Sequence, residues 1–230
     1  MRSGNEAWRL HETATSETRR GFLKAGLAAV SGLAVGPALH AAGPLLPAFA
    51  HLPRRFEPGV DGVRPALLAR ARTALAQHSR MVPQRGLLGI VDFNRQSADA
   101  RFHIVDTVRG RVTSFLVAHG RGSDPSHSGW VQHFSNEHGS LATSRGAYVT
   151  GARYTGKYGL SLRLDGLDYS NSNAFERAIV VHGADYVGEQ MIREHGKVGR
   201  SEGCFAVARE DLYGVLARLS PGHMIYADKA

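Results

Sequence analysis

The feature that most restricts the fold is a series of three β-type segments near the middle of the 230-residue chain. Residues 86–93, 101–107 and 111–119 show a period of two and are rich in β-branched and aromatic side chains. A tight hairpin signal, Val108-Arg109-Gly110, separates the second segment from the third. The three segments predict a β-meander that forms one wall of a core.

Shorter strands and three helices are predicted around the meander. Asp185 is expected to cap the second helix. Because helices do not alternate with strands, the predicted fold class is α+β, mainly β with a few helices, and not a doubly wound sheet. A long loop is expected at 120–144, and loops of that length are usually functional. The strands are predicted at 147–151, 158–164, 178–182, 204–207 and 223–226, and the helices at 63–79, 185–195 and 210–219.

Residues 1–50 have the pattern of an export signal. Arg19-Arg20 is followed by Phe-Leu-Lys and then by an Ala/Gly/Leu-rich run, which is typical of the twin-arginine type. Glycines, a proline and a histidine interrupt the run, so it is short for a membrane-spanning helix. A small-x-small cleavage pattern at 48–50 predicts a mature chain that begins near His51. We therefore expect a location in the periplasm, or otherwise outside the cytoplasm, and no stable membrane anchor after cleavage.

The remaining chain divides into two parts. Residues 51–85 are predicted to be a linker with an N-terminal helix, and residues 86–230 have the length of a single catalytic domain. The formal charge of the whole chain is +8; residues 1–50 hold five Lys/Arg and three Asp/Glu, so the mature chain carries +6. The basic residues are scattered and form no basic helix face, so no nucleic-acid partner is predicted. The sequence carries no signal for an oligomeric state.

The single cysteine, Cys204, is the candidate nucleophile. It follows Gly203 in the segment Gly-Arg-Ser-Glu-Gly at 199–203, and His182 ends a β-branched run some twenty residues earlier. A thiol needs a base to become a good nucleophile at neutral pH, and imidazole is the usual one. The pair predicts an acyl-transfer site with Cys204 as nucleophile and His182 as base. Burial of an inert thiol and dimer formation through it remain alternatives.

The combination of His182-Gly183 with Ser201-x-Gly203-Cys204 resembles the L,D-transpeptidase (YkuD-like) catalytic domain. The resemblance extends over about residues 86–226, and it implies a mixed β-sandwich or barrel that needs no cofactor. It also implies peptidoglycan stem peptides as partners, attacked at the bond before the terminal D-residue. Further blocks at 118–123, 134–136, 139–140, 148–151, 154–157, 161–167 and 181–187 resemble the murein branch of that family.

The resemblance also implies roles for individual residues. A backbone carbonyl commonly orients the base in this family, so no aspartate is required. The amides around Gly203 and Cys204 are candidate oxyanion donors, and Ser201 is expected to tie down the loop. The candidate substrate-binding residues are His119, Gly183, Tyr148 and Arg163.

Three features differ from the wider family's pattern. Glu202 stands where a histidine or aromatic residue is usual, and a carboxylate near a thiol raises the pKa of that thiol. Ala206 replaces the usual arginine two positions after the cysteine, which makes Arg209 the nearest substitute. The interval between His182 and Ser201 is also slightly longer than usual. These differences bear on rate and substrate preference more than on the reaction class.

Three alternatives to a transpeptidase remain open. Water in place of an amine acceptor would give a carboxypeptidase or endopeptidase through the same acyl-enzyme. Glu202 is also compatible with a non-catalytic wall-binding module that keeps the scaffold. A zinc peptidase would use His127, His133 and His138, but their spacing matches no familiar ligand set, so no metal is predicted.

Overall fold

The computed structural model describes residues 62–229. The predicted twin-arginine signal, its cleavage site and most of the linker lie outside the described residues. Three helices are present in the described part: α1 (Pro65–Gln77), α2 (Glu189–His195) and α3 (Arg209–Arg218). The strands are β1 (Leu87–Asp92), β2 (Phe102–Asp106), β3 (Val112–Phe115), β4 (Val117–Ala118), β5 (Gly146–Gly156), β6 (Gly159–Gly166), β7 (Val180–Gly183), β8 (Phe205–Val207) and β9 (Met224–Asp228).

These strands form one mixed sheet in the order β3-β2-β1-β9-β5-β6-β7-β8-β4. Neighbours are antiparallel except for β1 with β9 and β7 with β8, which are parallel. The mainly β, α+β fold class expected from the sequence is confirmed. The short final strand β9 lies in the middle of the sheet, between β1 and β5.

The two edges of the sheet are held next to each other by the chain itself. Residues 111–119 were expected to form one strand, but the chain leaves the sheet at Leu116, so that β3 is one edge and β4 the other. A single residue spans only about 7 Å between its neighbours, because consecutive Cα atoms are ~3.8 Å apart. The sheet must therefore curl until its edges meet, as in a barrel.

Two apolar layers stabilise the curled sheet. Inside the curl, Phe93, Phe102, Tyr148 and Phe205 pack with the buried face of α3. On the other face, α1 buries the apolar stripe predicted from its helical spacing against β1, β2 and β9; the stripe consists of Leu67, Leu68, Ala71 and Leu75. None of the helices in residues 62–229 is long and apolar enough to cross a membrane.

Two elements near the candidate site differ from expectation. Strand β5 continues to Gly156, and a two-residue turn, Lys157-Tyr158, joins it to β6. Helix α2 begins only at Glu189, after Gly188. The prediction that Asp185 caps this helix is wrong, because its carboxylate pairs with the Arg209 guanidinium instead.

Candidate active site

The loop before β8 holds Cys204 in a conformation that requires glycine at the preceding position. Gly203 has φ +116°, in the region that L side chains rarely adopt. A Cβ atom there would lie 2.8 Å from the carbonyl oxygen of Ala142 and 2.8 Å from a methyl group of Ile179. The backbone can therefore pass close to its neighbours only with glycine at this point.

Ser201 ties this loop together from inside. Its hydroxyl donates to the carbonyl oxygen of Cys204 at 2.7 Å and accepts from the amide of Gly203 at 3.2 Å. Its own amide donates to the His119 carbonyl at 2.9 Å, and its carbonyl accepts from the amide of Arg121 at 2.8 Å. The Cys204 loop is thus fastened to the segment that follows β4.

The Cys204 thiol lies at the base of a cleft of about 350 Å³ and is 6% exposed. Its Sγ is 3.6 Å from the carbonyl oxygen of Ala178, a residue held at φ +52°. Burial raises the pKa of the thiol to about 11, and the Glu202 carboxylate adds to the rise; the amide of Val180 and the Arg177 guanidinium act in the opposite direction. The thiol is therefore protonated at neutral pH in this state.

His182 is placed and protonated as a general base requires. Its Nδ1 lies 3.1 Å from the carbonyl oxygen of Gly183. A carbonyl can only accept, so Nδ1 carries the proton and Nε2 keeps its lone pair. Burial lowers the pKa of this imidazole, and the Arg209 charge lowers it further against the opposing Gly183 bond. His182 is thus neutral at neutral pH, with Nε2 as the basic atom.

Cys204 directly precedes β8, and His182 lies on the adjacent strand β7, so the strand alternation extended by one residue puts both side chains on one face. In the parallel register Val181 is opposite Phe205 and His182 is opposite Ala206. Val181 and Phe205 point into the main core, so His182 and Cys204 point to the other face. Strand spacing and rise put their Cβ atoms roughly 8 Å apart on the diagonal. Within the described residues no hydrogen bond joins the two side chains.

The β5–β6 turn covers the imidazole. The ring of Tyr158 stacks on His182 with centroids 4.5 Å apart and planes inclined by 19°. The Tyr158 hydroxyl donates to one oxygen of Glu202 at 3.4 Å, and Arg121 donates to the other at 3.2 Å. Glu202 therefore links the covering turn to the Cys204 loop.

Arg177 is a cleft residue that no sequence pattern indicated. Its guanidinium lines the Cys204 cleft and donates to the carbonyl of Ser135 at 2.8 Å and to the hydroxyl of Ser140 at 3.2 Å. It lies near enough to the thiol to lower the pKa of Cys204. The expected substitute, Arg209, is instead on the surface with Asp185.

The sequence pattern of a family described as the L,D-transpeptidase catalytic domain matches residues 60–227. The chain belongs to this family. The matched range includes α1, which packs on the sheet, as well as every strand of the L,D-transpeptidase domain except the end of β9.

Several solved structures are similar to this chain at low identity, and two of the three described here are L,D-transpeptidases. One from Mycobacterium smegmatis is 16% identical, with 62% of this chain and 58% of that chain covered and a TM-score of 0.37. One from Xylanimonas cellulosilytica is 18% identical, with 68% of each chain covered and a TM-score of 0.37. The cell shape determining protein Pgp2 from Campylobacter jejuni is 11% identical, with 73% and 57% covered and a TM-score of 0.43. The chain thus spans less than two thirds of the first and third of these proteins, and no curated protein matches it.

The four predicted substrate-binding residues occupy different positions in this L,D-transpeptidase domain. Arg163 lies beside the cleft, between the rings of Tyr154 and Phe175 at 4.5 and 5.3 Å. Gly183 is buried and orients His182 through its carbonyl. Tyr148 is buried in the core, where its hydroxyl bonds to Ser144 and its ring meets Phe205 edge to face, so it does not line the cleft.

His119, the fourth, is also buried and belongs to a separate polar network. Its Nδ1 accepts from the Arg101 guanidinium at 2.7 Å, and its Nε2 is 3.3 Å from the carboxylate of Asp124. Burial and Arg101 lower the pKa of His119 to about 3. It therefore acts on the site through its backbone carbonyl, which holds Ser201.

The three loop histidines do not come together. His127 bonds to the carbonyl of Val198 at 3.1 Å, and His138 lines the Cys204 cleft. Among residues 62–229, no group of three or more His, Cys, Asp or Glu side chains could hold a metal ion.

Proposed function

We propose that this chain is a peptidoglycan L,D-transpeptidase that forms a thioester through Cys204. The observation that carries the proposal is the shared face of Cys204 and a neutral His182, next to a cleft that opens onto the thiol. The family match supports the same reaction class. The peptidoglycan stem peptide as substrate and partner, and the amine as acceptor, belong to the same proposal.

In the proposed first step, rotation of both side chains brings Cys204 Sγ to His182 Nε2, which takes the proton. The Cβ separation of roughly 8 Å is one that a thiol and an imidazole can bridge from alternative rotamers. The thiolate attacks the carbonyl carbon before the terminal D-residue. The oxyanion is assigned to the Cys204 amide, because the Gly203 amide serves Ser201.

In the second half, the C–N bond breaks and the departing amine takes the proton from His182. An amine from a second stem then attacks the thioester, His182 accepts its proton, and the thiolate leaves. Water in place of that amine would release a shortened stem peptide. Arg177 and Lys157 in the cleft wall supply positive charge for a substrate carboxylate, against the single carboxylate of Glu202.

The deciding experiment is the intact mass of the protein after exposure to a carbapenem, an acylating mimic of the donor. We expect one covalent adduct on the wild type and none on Cys204→Ser. Incubation with a disaccharide tetrapeptide then separates the acceptors, because cross-linked dimers indicate an amine and tripeptides indicate water. A wild type that forms neither adduct nor product contradicts the proposal.

The raised pKa of the resting thiol favours one other candidate, a wall-binding module without catalysis. Such a module would sediment with purified cell walls equally well as wild type and as Cys204→Ala, and it would form no adduct with the carbapenem. Adduct formation excludes this candidate.

We also propose that the protein is exported by the twin-arginine route to the periplasm. A reporter fused to residues 1–50 should be exported, and replacement of Arg19 and Arg20 by lysines should retain it in the cytoplasm. Export of the double-lysine fusion at the normal rate would contradict this route.

A further inference from the structure

A second cleft lies beside the active site and has a different lining. It measures about 580 Å³ and is bounded by residues 134–137 on one side and 169–173 on the other, with Arg145 between them. None of its lining residues lines the Cys204 cleft. Its size is that of a small-molecule site, roughly 300–1,000 Å³.

An exposed aromatic ring stands at the rim of this cleft. Tyr169 is 95% exposed, and Phe134 is partly buried on the opposite wall, where it packs on Phe93 with centroids 5.9 Å apart. A tyrosine offers a rigid apolar face and a hydroxyl at a small entropic cost, because it has only two side-chain torsions. Such a ring suits a ligand that has both apolar faces and hydroxyl groups.

The two walls are locked to each other by amide side chains. Asn136 donates across the cleft to the carbonyl of Tyr169 at 3.0 Å and to the hydroxyl of Ser172 at 3.1 Å. The Asn173 side chain donates back to the backbone carbonyl of Asn136 at 3.0 Å, and the Asn173 backbone N–H donates to the side-chain oxygen of Asn136 at 3.1 Å. The rim is therefore fixed before any ligand arrives, which reduces the cost of binding.

Other polar groups in the cleft are left for a ligand. Among the described residues, Arg145 and Glu137 make no ion pair, and the side-chain oxygen of Asn173 accepts no hydrogen bond. One positive and one negative charge give the cleft no net charge, so it does not select a polyanion. Both walls are loops or 3₁₀ turns and offer no open strand edge for an extended peptide.

We propose that this cleft binds the glycan strand of peptidoglycan, with a sugar face on Tyr169 and hydroxyl or acetamido groups at Arg145, Glu137 and Asn173. This inference rests on the proposed function, because the stem peptides hang from that glycan. The two clefts are adjacent, because Arg177 lines the Cys204 cleft and bonds to two residues that line the second one. Its guanidinium donates to the carbonyl of Ser135 at 2.8 Å, and its backbone N–H donates to the carbonyl of Asn173 at 2.9 Å. A donor could therefore place its peptide at Cys204 and its sugar at Tyr169.

The test is a titration of the full chain with a glycan that carries no peptide. The probe is a β-1,4-linked N-acetylglucosamine tetramer, and its binding is measured by calorimetry. The test variant is Tyr169→Ala. Tyr213→Ala is the matched control, since Tyr213 is also an exposed tyrosine, at 73%, but lies on α3. We expect on the order of tenfold weaker binding for Tyr169→Ala and wild-type binding for Tyr213→Ala. No measurable binding to wild type, or an equal loss in both variants, overturns the proposal.

A second test of the same inference compares KM values for two substrates. Wild type should have a lower KM for a disaccharide-linked tetrapeptide than for the free tetrapeptide, and Tyr169→Ala should abolish that difference. Competition between the free tetrapeptide and the glycan tetramer would mean that both ligands occupy one site, and it would overturn the inference. The carbapenem adduct on wild type reports separately on the proposed function, so either proposal can fail while the other stands.

Discussion

Alkylation of the single thiol tests the electrostatic description of the active site. Cys204 is the only cysteine, so the mass increase after reaction with iodoacetamide reports on it alone. Burial raises the pKa of this thiol from 9.0 to about 11. At pH 8 this corresponds to about one thiolate in a thousand, against about one in ten for an unperturbed thiol, a difference of about 100-fold in the reactive form.

The expected profile is a rate that rises about tenfold per pH unit from pH 7 and reaches its midpoint near 11. Because the thiol is also shielded from solvent, the pH dependence and not the absolute rate carries the information. Glu202→Gln should move the midpoint to lower pH, and Arg177→Gln should move it to higher pH. Glu210→Gln and Arg177→Lys are the controls, since the first carboxylate lies away from the thiol and the second variant keeps the charge.

An alkylation rate that levels off by pH 8, with a midpoint at or below 7, would refute this reasoning. That profile is the one expected of a thiolate–imidazolium pair in the resting protein. It would mean that Cys204 and His182 are already joined before substrate binds. Circular dichroism at each pH separates the titration from unfolding.

Three further predictions concern the base, the loop and the buried network. His182→Gln should slow thioester formation with a carbapenem on the order of 10²–10⁴-fold in a mass-based time course, while the alkylation profile of the resting thiol stays unchanged. Gly203→Ala should lower the free energy of unfolding in urea by about 2–3 kcal/mol, because φ +116° and two contacts of 2.8 Å oppose a Cβ atom, whereas Gly214→Ala in α3 should not lower it. The neutral state of His119, with its pKa near 3, makes stability fall as the pH drops from 6.5 towards 3, by up to roughly 1.4 kcal/mol per pH unit, since the unfolded chain binds the proton first. His119→Gln should reduce that slope but not abolish it, because the pKa of His103 is also lowered, to about 4; an unchanged slope would assign it to other groups.

The fold class and most strands followed from local periodicity, but the pairing of the strands did not. Residues 111–119 look extended throughout, and a period of two cannot tell which neighbour an extended segment joins. The break at Leu116 arises because the sheet curls and sends the two halves to opposite edges. The extension of β5 to Gly156 was missed because its outer half is exposed and polar, so no apolar alternation marks it.

The Cys204 loop was predicted from residue types with a chemical requirement, whereas its surroundings were not. A lone cysteine, a histidine beside glycine and a glycine before the cysteine are visible in the sequence. Arg177 sits in an irregular turn before Ala178, where no pattern distinguishes it from a solvated arginine. The stacking of Tyr158 on His182 depends on the length of the β5–β6 hairpin, and the sequence pattern predicted a shorter strand that ended at Gly151.

The position of β9 has a consequence for how the domain is made. Because β9 follows the other eight strands of the sheet along the chain and lies between β1 and β5, those eight can pair only as two separate fragments, β3-β2-β1 and β5-β6-β7-β8-β4, until β9 is in place. Each fragment exposes an unpaired edge until Met224–Asp228 joins them. A chain truncated before Met224 would therefore keep two open strand edges, and we expect it to aggregate.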